Sequence, residues 1–457
     1  MGGIDIDEGK WGMKWGLLTR SFRWFELPLL LCLLLVVFCS GIETVSFHSD
    51  ESQWIATSSV FEAFIKGNFD SPLWNEPYWN LTQPQLARYT IALGRLAGGY
   101  RVRDLNRPWD HGLSEVANIS EGNMPSPELI WWSRLPMAIL ASFSGLLLFT
   151  IVCTSANRLA GYFFLVLFAS NSYLLTVLRH AMGEAPLLAF LTLTTVAGIQ
   201  AVSSWEHIAM GAPAFSRSFL WSCGWFILMG MSCGTAGEAK LNGLSAFLLG
   251  PALSILVVFR TKCSISKAKS FIFAACSSVM YILVVGWSFI AWNPVLYPDP
   301  LWRSNEMFRN RFSEMRVQAQ ASASQRIQGL RTRMQIVPQR VFQDYTVLHF
   351  PGGKILNMVL CATGLCYLGW CVWHWFCGAE NRAASIVILL MALATGVPPL
   401  FTPLDWDRYY LLPVIFSTMC SAIALAWGIT ILLNMIQRNA GMRLFKDTEC
   451  TSSREAH

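Results

Sequence analysis

His48-Ser49-Asp50-Glu51 follows the first long apolar run of the chain, 27–42, by only a few residues and opens a long polar stretch. Two adjacent carboxylates at the end of an apolar run put ionisable groups at a membrane surface. Charge there is costly, and it is ordinarily paired or functional. Two readings of this stretch are open. Asp50-Glu51-Ser52-Gln53 fits the helix-start pattern D-x-x-Q, in which Asp50 caps a helix. Alternatively, Asp50 is a general base at the mouth of a membrane-embedded site.

Composition supports the membrane setting. The 457 residues are 54% hydrophobic and 14% charged, with a mean hydropathy of +0.42, too apolar for a soluble enzyme. Lys10, Lys14, Arg20 and Arg23 precede the first run, and no small-x-small cleavage pattern precedes Glu43, so the run reads as a retained signal anchor. Apolar runs at 27–42, 135–154, 160–178, 186–202, 219–234, 243–259, 270–292, 355–376, 384–401 and 410–433 give ten candidate spans. The expected fold is an all-α polytopic membrane protein of about ten transmembrane helices. Lys and Arg in the short segments orient it: Arg260, Lys262, Lys267 and Lys269, and later Arg438, Arg443 and Lys446, join the N-terminal cluster on the cytoplasmic side. The expected division is a cytoplasmic N-terminus (1–26), a transmembrane domain (27–434) with external loops 43–134 and 293–354, and a cytoplasmic tail (435–457).

The net charge of +6 is modest and gathers in loops, which points to anionic lipid or phosphate and not to nucleic acid. The 13 cysteines lie mainly in or beside apolar runs; the spacing offers neither a disulfide framework nor a zinc site. In the first long loop, Trp54, Val60, Phe61, Phe64 and Ile65 recur at helical spacing, as in an amphipathic helix lying on a membrane. Trp74, Tyr78 and Trp79 read as interfacial aromatics, and 86–96 as a second helix. Asn80-Leu81-Thr82 and Asn118-Ile119-Ser120 match the N-glycosylation pattern. The second long loop is arginine-rich from Arg303 to Arg340, with helix-compatible composition over 305–336.

The same threading gathers four polar motifs on the face that holds Asp50 and Glu51. They are Arg179-His180-Ala181-Met182-Gly183-Glu184, Glu238-Ala239-Lys240-Leu241-Asn242, His349-Phe350-Pro351-Gly352-Gly353 and Pro403-Leu404-Asp405-Trp406-Asp407-Arg408-Tyr409. Each charge also has a plainer reading. Arg134 and Arg408 can anchor at the interface, Lys240 can pair with Glu238, and Arg408 can pair with Asp405 or Asp407.

Taken in order, these motifs resemble those of the GT-C membrane glycosyltransferases, and the chain is similar to the protein O-mannosyltransferases and the lipid A aminoarabinose transferases. The marks are the acidic pair after the first span, Arg134-Leu135-Pro136 opening the second, and Arg179, Met182 and Glu184 after the third. Lys240, Gly243 and Leu244 follow, then Trp406, Arg408, Tyr409 and Pro413. Thr82-Gln83-Pro84 only approximates the His-Pro-Pro of many relatives, and the chain has no room for the large late external domain of the mannosyltransferases.

The resemblance implies a GT-C-like fold and transfer of a sugar from a polyprenyl phosphate, dolichyl or undecaprenyl, to a hydroxyl of a lipid, polysaccharide or protein acceptor. Transfer would occur with inversion on the extracytoplasmic face, in the plasma or inner membrane of a bacterium or the endoplasmic reticulum of a eukaryote. It implies Asp50 as the base, with Glu51 beside it orienting the acceptor or pairing with a cation. Successive helical side chains diverge, which keeps Glu51 from sharing the base role. Arg134, Lys240 and Arg408 are the candidates for the phosphate of the sugar donor, because fixed positive charge stabilises a departing phosphate. Arg179, Glu184, His349, Asp407 and Tyr409 are the candidates for other substrate contacts. Cationic side chains can do this electrostatic work without an obligatory cofactor; a divalent cation is the alternative. The competing class is a transporter or flippase of lipid-linked sugar. It would place charges in mid-membrane, and the apolar runs here are nearly free of charge.

Overall fold

The structure, a computed structural model, describes residues 12–209, 217–260, 267–347, 350–377 and 383–452. It is helical almost throughout. Among the described residues the extended pairing is one antiparallel bridge, Arg326 with Leu404. Helix α1 (Gly12–Cys39) ends at Gly41, whose φ of 80° turns the chain sharply out of the helix. The first loop then carries α2 (Ser49–Ala56), α3 (Val60–Ile65) and α4 (Leu86–Ala97). Helix α5 (Pro127–Ser155) begins with Pro127 behind Ser126, whose hydroxyl accepts the Leu129 N–H.

Pro136 inside α5 cannot donate to the carbonyl of Trp132, four residues back. Gly94 of α4 lies against that freed carbonyl: a Cβ at Gly94 would stand 2.2 Å from its oxygen. Two helices that could not otherwise come so close are thereby joined, and α4 is fastened to the membrane domain.

The third apolar run is two helices, α6 (Arg158–Ala169) and α7 (Ser172–Arg179), bent by 68°. Asn171 makes the break. Its Oδ1 caps α7 by accepting the Leu174 N–H, and its amide donates to the Tyr345 carbonyl. Helices α8 (Glu184–Ala209), α9 (Arg217–Ala239), α10 (Leu249–Arg260, entered through the 3-10 stretch Leu241–Leu248) and α11 (Lys267–Ala291) follow. The second loop forms α12 (Pro300–Ala321) and α13 (Gly329–Gln339), after which come α14 (Gly353–Phe376), α15 (Ala383–Phe401) and α16 (Leu411–Ser452).

All ten apolar runs are therefore helical, but among the described residues the count of ten spans is not reached. Six described helices are long and apolar enough to cross a membrane, or seven if the bent α6–α7 pair is one span. The described apolar parts of α1 and α15, Phe25–Cys39 and Ala383–Gly396, are shorter. The coarse class stands: an all-α integral membrane protein. Helix α8 is its centre, with 72% of its apolar window buried against 22% for α14, whose Ile355, Trp370 and Trp373 face outward as lipid-exposed side chains do.

Part of the apolar face of the first loop packs into the protein, while Ile65, Leu73 and Leu93 stay exposed. Ile55, Val60 and Ala63 are buried, and Phe64 stacks on Tyr89 of α4 with ring centroids 4.6 Å apart. Trp74 is buried too, its indole N–H donating to Asn68. Both glycosylation patterns are used structurally. The Asn80 Oδ1 accepts from buried Arg88, and the Asn118 amide donates to the carbonyls of Asp110, Leu113 and Ser114, so neither side chain is presented for modification.

Candidate active site

Helix α2 positions the site. Its N-cap is His48, in extended conformation. The His48 Nδ1 accepts the Asp50 N–H at 3.1 Å, and the Glu51 carboxylate accepts the His48 N–H at 3.0 Å. The reciprocal box is thus His48 with Glu51, and the D-x-x-Q capping reading of Asp50 is corrected. The Asp50 carboxylate is free of backbone duty.

Glu51, one residue on, points the other way and is fully buried. It accepts from Arg134 Nε at 2.7 Å and Nη2 at 2.6 Å, and from the Ala181 N–H at 2.8 Å. Arg134 spends its remaining N–H groups on the carbonyls of Ile42, Val45 and Ser46. Burial alone would raise the Glu51 carboxyl; the Arg134 hydrogen bonds, the nearby His180 and the Ala181 N–H outweigh it and hold it below the ordinary value. This pair ties the exit of α1 to α2, α5 and the 180–183 turn. Arg179 is likewise committed, donating to the Phe38, Val37 and Ser40 carbonyls that α1 leaves open at its C-terminus. The sequence reading offered Glu51 either an acceptor to orient or a cation to pair with, and the structure shows the second, with Arg134. Arg134 and Arg179 were read as substrate contacts, but backbone carbonyls and Glu51 engage them, and none of the three lines the cavity.

In front of that wall is a cavity of about 730 Å³. His48, Asp50 and Trp54 of the first loop line it, with Trp79, Gln83 and His111. Glu184 at the start of α8, Lys240 at the end of α9, and Asp405 to Arg408 at the start of α16 complete the inner wall. Arg311, Glu314, Gln318 and Gln325 from the second loop close the outer side.

Two ion pairs cross the inner wall: Arg408 Nη1 donates to Asp50 Oδ2, and Lys240 Nζ to Glu184 Oε1 at 2.6 Å. The Arg408 guanidinium lies 4.6 Å over the Trp406 ring and the Lys240 ammonium 5.6 Å over Tyr409; these two rings stack 5.8 Å apart. Trp406 is fixed by its indole N–H to Gln325, and Asp405 by Arg340 at 2.6 Å and the Tyr410 hydroxyl at 2.7 Å. Burial would raise the Asp50 carboxyl, but the charge and hydrogen bond of Arg408, aided by His48 and His111, bring it down to about 2.

Of the sequence-predicted residues, Asp50, Glu184, Lys240, Asp407 and Arg408 line the cavity, and Tyr409 stands against Lys240. His349 lies outside the described residues. The plainer partners read for the cations are not the ones found. Lys240 pairs with Glu184, while Glu238 accepts from the Gln85 N–H and the Asn293 amide; Arg408 pairs with Asp50. Sequence reasoning missed His111, Gln318, Gln325 and Tyr345, for which no motif gave a signal. Trp54 and Trp79 were legible as aromatics but not as cavity walls. Among the described residues no group of three or more His, Cys, Asp or Glu side chains converges as metal ligands would.

An all-helical membrane protein with an ion-paired polar cavity where its helices begin and end is the class these observations define. Residues 54–296, more than half of the chain, match the dolichyl-phosphate-mannose-protein mannosyltransferase family, and the chain belongs to that family. Among solved structures it is similar to the ArnT of Cupriavidus metallidurans bound to undecaprenyl phosphate, with 14% identity over 90% of this chain and 63% of that one and a TM-score of 0.51. It is also similar to the protein O-mannosyltransferase complex of S. cerevisiae bound to its sugar donor, with 16% identity over 61% of this chain and 34% of that one and a TM-score of 0.41. A third is the archaeal oligosaccharyltransferase AglB of Archaeoglobus fulgidus, with 12% identity over 92% of this chain and 52% of that one and a TM-score of 0.49. The chain thus spans about a third to two thirds of the length of these structures. Among curated proteins none matches the chain.

Proposed function

We propose that the protein transfers a sugar from a polyprenyl phosphate to a hydroxyl-bearing acceptor at the extracytoplasmic end of its helices. Membership of the mannosyltransferase family supports this class of reaction. The observation that carries it is the meeting of Asp50 with Arg408, Glu184 and Lys240, which are far apart in sequence, around one cavity.

In this reading the acceptor hydroxyl gives its proton to the Asp50 carboxylate as its oxygen attacks the anomeric carbon. The bond from that carbon to the phosphate oxygen breaks, and the polyprenyl phosphate leaves with the electron pair. Arg408 and Lys240 stabilise the negative charge that develops on it, as fixed positive charge does at a departing phosphate. A single displacement inverts the anomeric centre. The stacked Trp406 and Tyr409 rings hold both cations in place, and Asp407 and Glu184 contact the sugar or the acceptor. In this reading no metal is obligatory, and the acceptor is a lipid, polysaccharide or protein.

The test is transfer in membranes supplied with a radiolabelled polyprenyl-phosphate sugar. Asp50→Asn should lower transfer by about 10²–10⁴-fold, the range for loss of a general base. Transfer that continues unchanged rejects Asp50 as the base.

A further inference from the structure

The two cations facing the inner cavity are both occupied by carboxylates: Arg408 by Asp50 and Lys240 by Glu184. On the outer side, Arg311 is paired with Glu314 at 2.5 Å, and behind Asp405 stands Arg340. An arriving phosphate therefore meets cations that are already paired with carboxylates on these walls, and it competes with a carboxylate for whichever it engages. Which one it takes has different consequences. Lys240 has a point charge on Glu184, a residue outside the base role. Arg408 holds the base itself.

We propose that Arg408 is handed from Asp50 to the phosphate of the sugar donor, so that docking of the sugar donor is the event that frees the base. The inference rests on the transfer reaction proposed above and adds an order to it: sugar donor first, proton acceptance second.

The geometry suits a stepwise exchange. Arg408 reaches Asp50 through Nη1 alone; among the described residues, no side-chain or backbone oxygen takes the N–H groups of Nε and Nη2. A guanidinium offers two parallel N–H groups along each edge, matched to two phosphate oxygens. A phosphate can thus engage the free edge before the bond to Asp50 is lost. The guanidinium is held over Trp406, which leaves it able to swing between the two anions while its stem stays fixed at the start of α16.

The electrostatics give the exchange its purpose. With Arg408 on it, the Asp50 carboxyl stays at about 2, well below the range of an effective base. His48 and His111 also face Asp50. The Nδ1 of His48 is engaged by the Asp50 N–H, and His111 is held by the Gln53 amide at 3.1 Å, so neither is set to follow Arg408 away. Loss of Arg408 to a phosphate therefore removes the strongest charge acting on Asp50 and leaves the carboxylate with its back to a buried wall, where burial raises it.

Competition between Asp50 and a phosphate for one guanidinium is reciprocal, so neutralising Asp50 should strengthen phosphate binding. The test is equilibrium binding of farnesyl phosphate to the purified full chain, compared with Asp50→Asn and Asp407→Asn. Asp407 lines the same cavity and carries the same charge, but its carboxylate accepts the Arg408 backbone N–H and not the guanidinium. Hand-over predicts that Asp50→Asn binds at least about fivefold more tightly than the native protein while Asp407→Asn stays within about twofold. Asp50→Ser removes the same charge and serves if Asp50→Asn does not fold. An equal gain in both variants means simple loss of negative charge and overturns the exchange. So does unchanged affinity in Asp50→Asn, with the transfer reaction left standing. If the native protein and both variants all fail to bind, the exchange and the transfer reaction fall together.

Discussion

Asp50 and Glu51 are neighbours with opposite surroundings, and this divides their roles. Glu51 is sealed against Arg134, so removing its charge leaves a buried guanidinium without a counter-charge. Glu51→Gln should cost about 3–5 kcal/mol, seen as a large fall in thermal unfolding temperature or failure to accumulate, with activity lost only through instability. A variant that is stable but inactive would instead put Glu51 in the chemistry. Asp50 is different in kind. Its folded carboxyl lies below the ordinary 3.8, at about 2, so its pairing with Arg408 is fully present above about pH 4 and is lost as pH falls through 2. The corresponding stability is roughly 2 kcal/mol. The unfolding temperature of the native protein should exceed that of Asp50→Asn from pH 8 down to pH 5, and the difference should close toward pH 2; a difference constant with pH speaks against the pair. The acidic pair was legible in the sequence. So was a split between a base and a residue free to pair with a cation; that the cation is Arg134, and that His48 rather than Asp50 caps the helix, was not, because His48 is an unusual N-cap.

Helices were the most legible elements, since each apolar run is long and free of charge. What periodicity could not show is where a run breaks or how closely two runs approach. The third run reads as one span because its polar interruption, Ser170-Asn171-Ser172, is brief and apolar residues flank it on both sides. The break comes from Asn171 capping a new helix and reaching across to Tyr345, a contact 174 residues away in sequence. The approach of α4 to α5 was equally hidden. It needs both Gly94 and the carbonyl that Pro136 leaves without a partner. Gly94→Ala sets two effects against each other. Alanine favours a helix by up to about 1 kcal/mol over glycine. A Cβ 2.2 Å from a backbone oxygen cannot be absorbed by a side-chain rotation, so overpacking of about 1–3 kcal/mol prevails. The variant should unfold at a lower temperature in detergent than the native protein; an increase would mean that α4 is not held in this way.

At the scale of the molecule, the cavity is assembled from chain segments around residues 48–54, 183–184, 240, 311–325 and 405–408. The sequence showed that the charged motifs fall at the ends of apolar runs, on what threading makes one face. It could not show which of them face each other. Arg134 and Arg179 looked as exposed as Arg408, yet backbone carbonyls at the end of α1 claim both. The outer wall from the second loop was legible only as arginine-rich helix. Its attachment through Gln325 to Trp406 and through the Arg326–Leu404 bridge arises from tertiary contact alone.

Sugar transfer here depends on a lipid phosphate docking where Arg408 and Lys240 meet, beside Asp50. A structure of the full chain with farnesyl phosphate bound measures this directly. Phosphate oxygens should lie within hydrogen-bonding reach of the Arg408 guanidinium and the Lys240 ammonium. A phosphate seated elsewhere on the protein, with both ion pairs of the empty cavity intact, contradicts it.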